Sequence, residues 1–179
     1  FQRSWNHVGQ FEFKINRYMP KVNLLNKNYK IMLNNQSNKV GIIDEIEWMV
    51  NENGKGSEVI TVRGHELKNL MTRRIIEPLS GQSSYTYTTA AETIAKNLVS
   101  SQAGPTADVD RQMPYLKIAT DQGRGGNYTI DEKYTKTVDL ALKDMSLATG
   151  LGWLIQLNLS DTVNPYLFEI LEGDDLSNK

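Results

Sequence analysis

Two carboxylates, Glu45 and Glu47, have a spacing that could suit acid–base catalysis. They lie two positions apart in a segment predicted to be a strand, so their side chains share one face with Cα atoms about 6.6–7 Å apart. Glycosidases cleave sugar bonds with two carboxyl groups held about 5–9.5 Å apart. No other residue pattern marks a sugar cleft around this pair. We therefore interpret Glu45 and Glu47 as part of a solvated strand face.

A glycine-rich run, Asp121–Asn127, invites two functional interpretations. A phosphate-binding loop needs its glycines between a strand and a helix, whereas the residues that follow this run look extended, and neither the dinucleotide-binding nor the P-loop spacing is met. A calcium loop counted from Asp121 would place Gly126 at position six and Glu132 at position twelve. Positions three and five would be Gly123 and Gly125, which lack side-chain oxygens. We interpret the run as a plain loop or hairpin turn.

The other residue types that could catalyse or bind metal form no constellation. His7 and His65 are distant in sequence, and His65 lacks the second histidine, four residues away, that a zincin helix requires. A G-x-S-x-G elbow for a serine nucleophile is absent. The chain has no cysteine, which excludes thiol nucleophiles, disulfides and cysteine-ligated metals. The sequence predicts no catalytic, cofactor-binding or metal-binding residue and no cofactor.

The aromatic residues could form a sugar-binding platform. The chain has three tryptophans and eight tyrosines. Aromatic residues at alternating strand positions lie more often in a core or a subunit interface, which is the interpretation we favour. The tryptophans are Trp5, Trp48 and Trp153.

Residues 1–79 have the period-two pattern of β-strands. In the longest segment, Lys39–Val50, the alternation predicts Ile42, Ile46 and Trp48 on one face and Ile43, Glu45 and Glu47 on the other. Residues 51–56 are typical of a hairpin turn. Several short strands joined by turns predict a small antiparallel β-barrel-like module. The candidate strands are Phe11–Ile15, Tyr29–Leu33, Lys39–Val50 and Glu58–Arg63.

Residues 80–179 have a helical pattern followed by a β-hairpin, and the linker-like segment Ser80–Ser84 marks the boundary. Thr89 and Glu92 have the spacing of a capping box, which predicts a helix that closes near Gly104-Pro105. A second helix is predicted from Val138 to Thr149, with Gly150 ending it. The hairpin strands are predicted at Trp153–Leu159 and Tyr166–Ile170. The predicted fold class is α+β, a barrel-like module followed by an α/β module with two helices and a C-terminal hairpin.

The net charge and the hydropathy of the chain limit the classes of partner that we expect. Twenty basic and twenty-one acidic residues leave a formal charge of −1, which disfavours nucleic-acid recognition. No apolar run approaches the roughly 18–20 residues that span a bilayer, so we expect no membrane insertion. Because the chain begins with Phe1, we interpret it as a fragment of a longer protein.

An ordered series of motifs resembles the tail-hub proteins of long-tailed phages and prophages of Gram-positive bacteria, which include baseplate hubs and the N-terminal regions of tail-associated lysins. The likeness covers nearly the whole chain in the right order. The motifs lie at Ser4–Asn6 and Val8–Phe13, Val40–Glu47, Ile60–Leu70 and Arg73–Ile75, Thr89–Ile94, Asp121–Gly125, Ala148–Trp153, Phe168–Ile170 and Glu172–Asp174.

The resemblance implies a structural role. Hub proteins form a ring of small β-barrel domains that closes the tail tube, and longer members continue into fibre, receptor-binding or wall-degrading regions. It implies that the full-length protein is a homotrimer at the virion tail tip, made in the host cytoplasm and bound to neighbours such as the distal tail protein. It also implies that the family's first strand precedes Phe1 and that a second ring-forming barrel lies mostly beyond Lys179.

We expect the strands around Phe11–Ile15 and Lys39–Val50 to contribute to subunit interfaces, because unpaired edge strands pair readily with neighbouring chains. Two alternatives stay open. One is a cell-wall hydrolase that uses Glu45 and Glu47. The other is a wall-carbohydrate-binding module.

Overall fold

A four-stranded antiparallel sheet forms the first part of the protein. The computed structural model describes residues 1–50, 56–78 and 80–173. The strands follow the order β1-β4-β3-β2, and the loop between β1 and β2 contains a short 3₁₀ turn at Val22–Leu24. Residues 51–55 of the predicted turn lie outside the described residues. The strand bounds are β1 Gln10–Asn16, β2 Lys30–Met32, β3 Val40–Val50 and β4 Gly56–Glu66.

A bulge in β3 overturns the predicted alternation of its side chains. The register against β4 shifts between Ile43 and Glu45, so Asp44 is the extra residue. A bulge places two residues opposite one, and the face on which later side chains lie therefore reverses. Ile43 and Ile46 consequently pack into the same apolar cluster, whereas Ile42 packs into a different one. The prediction that Ile42 and Ile46 share a face is wrong.

The second part of the protein combines two helices with five short strands. β5 and β7 pair antiparallel, β6 and β9 pair parallel, and β8 and β9 form the predicted antiparallel hairpin. A 3₁₀ segment, Leu67–Arg73, connects this part to β4. The bounds are β5 Tyr85–Ala90, α1 Ala91–Gln102, β6 Leu116–Ile118, β7 Asn127–Glu132, α2 Val138–Thr149, β8 Gly152–Leu157 and β9 Tyr166–Leu171.

The prediction for α2 is confirmed from Val138 to Thr149, and Gly150 ends the helix at φ 76°, a left-handed conformation that glycine adopts without strain. The hairpin is also confirmed, although β8 ends at Leu157 rather than at the predicted Leu159. Leu159 lies in the connecting turn and is exposed. The alternation of apolar residues continues to Leu159, but pairing with β9 stops at Leu157.

The predicted capping box at the start of α1 does not form. Ala90 is the N-cap residue and no side chain caps the helix. The amides of Ala91 and Glu92 donate instead to the carbonyl oxygens of Gly126 and Arg124, at 3.2 and 3.1 Å. Because a distant loop satisfies these amides, the Thr89 hydroxyl is not needed there, and the capping-box prediction is wrong.

Two apolar clusters form the core. The larger one joins Leu67, Met71 and Ile76 with both helices and with β8 and β9. The smaller one lies against the curled sheet and consists of Phe11, Val22, Ile43, Ile60 and Val62. The predicted α+β class, with a curled antiparallel sheet that forms half of a barrel, is confirmed. The division between residues 79 and 80 stays a prediction.

Candidate assembly surface

The curled sheet has a free edge along β1. β4 pairs with every residue of β1 from Gln10 to Asn16. On the opposite side, within the described ranges, only Gln10 has a strand partner, namely Gln2, with which it exchanges two backbone hydrogen bonds of 2.7 and 3.0 Å. Hydrogen-bonding direction alternates along an antiparallel strand. The N–H and C=O groups of Glu12 and Lys14 therefore point away from β4, towards this edge.

A second free edge lies along the distal half of β3. β2 pairs only with Val40–Ile42, and Ile43 adds two backbone hydrogen bonds to residues just before β2. From Glu45 onward, the part of the chain that the structure describes places no strand on this side of β3. Trp48 belongs to this half of β3 and is 59 % exposed, and its ring lies 5.7 Å from the guanidinium of Arg17, whose amide donates to Glu58 of β4. Both strands predicted as interface contributors thus have an unpaired stretch, as does the outer strand β2, and their role in an interface stays a prediction.

An apolar cavity of about 250 Å³ lies between the two outer strands of the sheet. The ring of Phe1 stacks on Phe11 at a centroid distance of 5.7 Å, and Phe11 stacks on Phe13 at 6.3 Å. Ile31 and Met32 line the opposite side of this cavity. The sheet therefore curls without closing, and apolar side chains line the opening between β1 and β2.

The carboxylates Glu45 and Glu47 do lie on one face, but they face an arginine rather than a cleft. Arg63 donates to Glu12 at 2.6 Å, to Glu47 at 2.8 Å and to Glu45 at 3.4 Å. The hydrogen bonds that Arg63 donates to Glu12 and Glu47 raise the pKa of Arg63, and the bond to Glu12 lowers the pKa of Glu12. All four side chains are at least 40 % exposed. The arrangement is a surface ion network across three strands.

The two histidines have separate surroundings. Nδ1 of His65 lies 2.6 Å from a carboxylate oxygen of Asp44. Nδ1 of His7 lies 2.6 Å from the Ser4 hydroxyl and 2.7 Å from the side-chain oxygen of Asn6. A serine triad needs the hydroxyl on one ring nitrogen and the orienting group on the other. Both contacts of His7 are to the same nitrogen, so this local cluster has the wrong geometry for a nucleophile.

The glycine-rich run packs against the start of α1. Gly123 and Gly125 have φ values of 67° and 76°, which favour glycine. Asp121 accepts hydrogen bonds from the Gly123 amide at 3.1 Å and from the Thr93 hydroxyl at 2.6 Å. The helix amides that could hold a phosphate bind loop carbonyls instead. No cluster of metal-ligating side chains occurs among the residues that the structure describes.

Glu92, which the sequence predicts as part of a capping box, is instead the centre of an ion network. Its side chain is fully buried and accepts hydrogen bonds from the amide, Nε and Nη2 of Arg124 at 2.8–3.0 Å. Lys96, one helical turn later, donates to the same carboxylate. The hydrogen bonds from Arg124 lower the pKa of Glu92 to about 2, against the opposing effect of burial. The network joins α1 to the glycine-rich loop.

The tryptophans occupy three different surroundings. Trp153 is buried and donates to the carbonyl of Asn6 at 3.1 Å. Trp5 donates to the carbonyl of Gly150 at 3.0 Å and lies over Gly152, where a Cβ atom would meet its ring at 2.5 Å. Only Trp48 is more than half exposed. The core interpretation is confirmed for Trp153 alone, whereas Trp5 and Trp48 lie at the surface.

Lys68 binds the backbone of the N-terminal segment, residues 4–7. It is buried, and its ammonium group donates to the carbonyls of Ser4, Trp5 and His7 at 2.5, 3.4 and 3.3 Å. It also lies 4.7 Å from the ring of Trp153. Burial lowers the pKa of Lys68 to about 8, although nearby Glu66 opposes this shift. One buried cation thus fixes a segment 61–64 residues away in sequence.

This arrangement predicts a pH-dependent contribution to stability. Because the pKa of Lys68 is lower in the folded protein, the unfolded chain retains the proton to higher pH, and stability rises with pH across that interval. We expect the unfolding free energy of the wild type, relative to Lys68→Met, to rise by up to about 3 kcal/mol between pH 8 and about pH 10.4. Urea denaturation at several pH values measures the difference. A constant difference would contradict the burial argument.

Comparison with known proteins places the chain among phage proteins. It belongs to the family described as Siphovirus ReqiPepy6 Gp37-like protein, whose family model matches residues 1–179. No curated protein matches the chain. Within the described residues, no helix is long and apolar enough to cross a membrane. The resemblance to phage proteins is confirmed, and the assignment to the tail hub stays a prediction.

Proposed function

We propose that this protein is a structural component of a phage or prophage tail tip, a baseplate hub ring that closes the tail tube and carries downstream fibre or lysin parts. The observation that carries the proposal is a curled, unclosed sheet in a protein of a siphovirus family, with unpaired stretches that include β1 and the distal half of β3. Unpaired edges are templates for pairing with another chain.

Two different edges on one subunit favour a ring. When the β1 edge of one copy meets the β3 edge of the next, the interface is heterologous, and such interfaces close into rings when the rotation permits. We propose a homotrimer in the full-length protein, with the distal tail protein as a neighbour and the virion tail tip as its location.

Light scattering on the full-length gene product tests this proposal. We expect the mass of a trimer or of a larger closed ring at micromolar concentration, and a ring in negative-stain electron micrographs. A strictly monomeric full-length protein at high concentration would overturn the assembly role.

We propose no catalytic activity for this chain. Glu45 and Glu47 share an arginine and are solvated, whereas the acid of a glycosidase pair lies in an apolar pocket. We expect no clearing of Gram-positive wall material by the folded protein, and the same result for Glu45→Gln and Glu47→Gln. Turbidity of a wall suspension is the measurement. Clearing by the wild type that disappears in either variant would establish the hydrolase alternative.

A further inference from the structure

A basic cavity of about 340 Å³ lies where β2, the 3₁₀ segment Leu67–Arg73, residues 113–116 and the start of β9 meet, and no residue of β1 or β3 lines it. Three cations line it, namely Lys30, Arg73 and Arg74. Two tyrosines, Tyr115 and Tyr166, also line it. No carboxylate is present among its described lining residues.

The cations of this cavity lack counter-charges. Within the described part of the chain, Lys30, Arg73 and Arg74 form no ion pair, and the carboxylate nearest in sequence, Glu77, pairs with Arg111 instead, at 3.0 Å. Nε of Arg74 donates to the carbonyl of Arg111 at 3.1 Å and Nη1 donates to the carbonyl of Arg73 at 3.3 Å, which leaves Nη2 for another partner. Burial and the like charges of Arg111 and Arg73 lower the pKa of Arg74. The cavity is therefore electropositive, and no carboxylate of the described residues pairs with its cations.

The aromatic side of the cavity has an unusual backbone. Tyr115 has φ 74°, a left-handed conformation that a bulky side chain rarely adopts, and its ring is more than half exposed. Such strained residues cluster at ligand sites. The carbonyl of Tyr115 accepts a hydrogen bond of 3.0 Å from the amide of Tyr166, which fixes the two tyrosines relative to each other. Leu70 and Met113 add apolar surface between the charges and the rings.

We propose that this cavity binds a phosphate-bearing carbohydrate, with the phosphate on Arg73, Arg74 and Lys30 and the sugar ring against Tyr115 and Tyr166. Guanidinium groups bind phosphate through paired donors, and tyrosine rings pack on apolar faces while their hydroxyls remain wet. The volume is that of a pocket for one small ligand. This binding site goes beyond the proposed assembly role and does not depend on it.

The observations favour a sugar phosphate over two other anions. A nucleic acid is attracted by a field extending over many phosphates, and the net charge of −1 supplies none. An acidic peptide would satisfy the cations but would leave the tyrosines and the apolar surface without a partner. A single sugar ring that carries one phosphate would contact both the cations and the tyrosines of the cavity.

Titration calorimetry with N-acetylglucosamine 1-phosphate tests the proposal. We expect this probe to bind at least about 10-fold more tightly than inorganic phosphate or N-acetylglucosamine, because each of those engages only one half of the site. Arg73→Gln, at an exposed position, is expected to weaken binding of the sugar phosphate about 10-fold through the loss of charge-assisted hydrogen bonds. The matched control, Lys133→Gln, removes an exposed cation outside the cavity and is expected to leave binding unchanged.

The Tyr115→Gly variant distinguishes a loss of binding from a loss of folding. Glycine adopts φ 74° without strain, so the variant is expected to be at least as stable as the wild type. We expect it to bind the sugar phosphate about 10-fold more weakly and to bind inorganic phosphate as the wild type does. The proposal is overturned by no binding of the sugar phosphate at millimolar concentration, by equal affinity for inorganic phosphate, or by tighter binding of a thymidine oligonucleotide or an aspartate-rich peptide.

Discussion

Replacement of Glu92 by glutamine is expected to lower the free energy of unfolding by roughly 3–5 kcal/mol, because it leaves the buried Lys96 and the partly buried Arg124 without their carboxylate. The side chain is fully buried and binds both Arg124 and Lys96. For a chain of this size, such a loss corresponds to a fall in Tm of roughly 10 °C. Calorimetric or denaturant unfolding of the two proteins at pH 7 measures it.

The matched control is Glu58→Gln, which makes the same chemical change at an exposed strand position and is expected to change stability by less than about 0.5 kcal/mol. Because Arg124 lowers the pKa of Glu92 to about 2, the carboxylate contributes stability above its ordinary pKa of 4.5. That contribution is lost as the pH falls towards 2. The difference between the wild type and Glu92→Gln should therefore shrink across this interval. Equal stability of the two proteins at pH 7 would show that the network is not needed.

Lys14→Pro is expected to abolish self-association of the full-length protein while leaving each subunit folded. The amide of Lys14 points away from β4, so proline removes a donor of the free edge and no hydrogen bond within the sheet. Proline is tolerated on edge strands and blocks strand pairing there. We expect the mass measured by light scattering to fall from that of the oligomer to that of a single chain, with a circular dichroism spectrum like that of the wild type.

Two controls accompany the Lys14→Pro variant. Lys14→Ala removes the same charge but keeps the amide, and it is expected to assemble as the wild type does. Phe13→Pro removes an amide that bonds to β4, and it is expected to destabilise the subunit itself. Normal assembly of Lys14→Pro would exclude the β1 edge as the contact.

The sequence predicts best those elements in which the spacing of the apolar residues matches the face that the element buries. α2 was found from Val138 to Thr149 because its apolar residues repeat at helical spacing and Gly150 follows them. The β8–β9 hairpin was found for the equivalent reason at strand spacing. In both cases a local pattern and the final packing agree.

The missed features depend on partners that are distant in sequence. Thr89 and Glu92 satisfy the local rule for a capping box, but Glu92 binds Arg124, 32 residues away, more strongly than it could bind a helix amide. The one local signal was Lys96, four residues after Glu92, which is the spacing of an ion pair along a helix. The bulge at Asp44 had no local signal in the residue pattern.

The candidate surfaces were only partly predictable for the same reason. Alternation identified Phe11–Ile15 and Lys39–Val50 as strands, but which edges stay unpaired depends on the sheet order β1-β4-β3-β2. The basic cavity is assembled from four separate segments. Arg73-Arg74 was visible in the sequence only as an isolated pair of cations. Its proximity to Lys30 and Tyr166 is a property of the fold.

The position of the protein in the virion tests the proposed role most directly. Antibodies raised against residues 1–179 can be bound to purified phage particles and located by immunogold electron microscopy. We expect gold at the end of the tail distal to the capsid. Gold on the capsid, or particles without label although the protein is present in infected cells, would contradict a structural role at the tail tip.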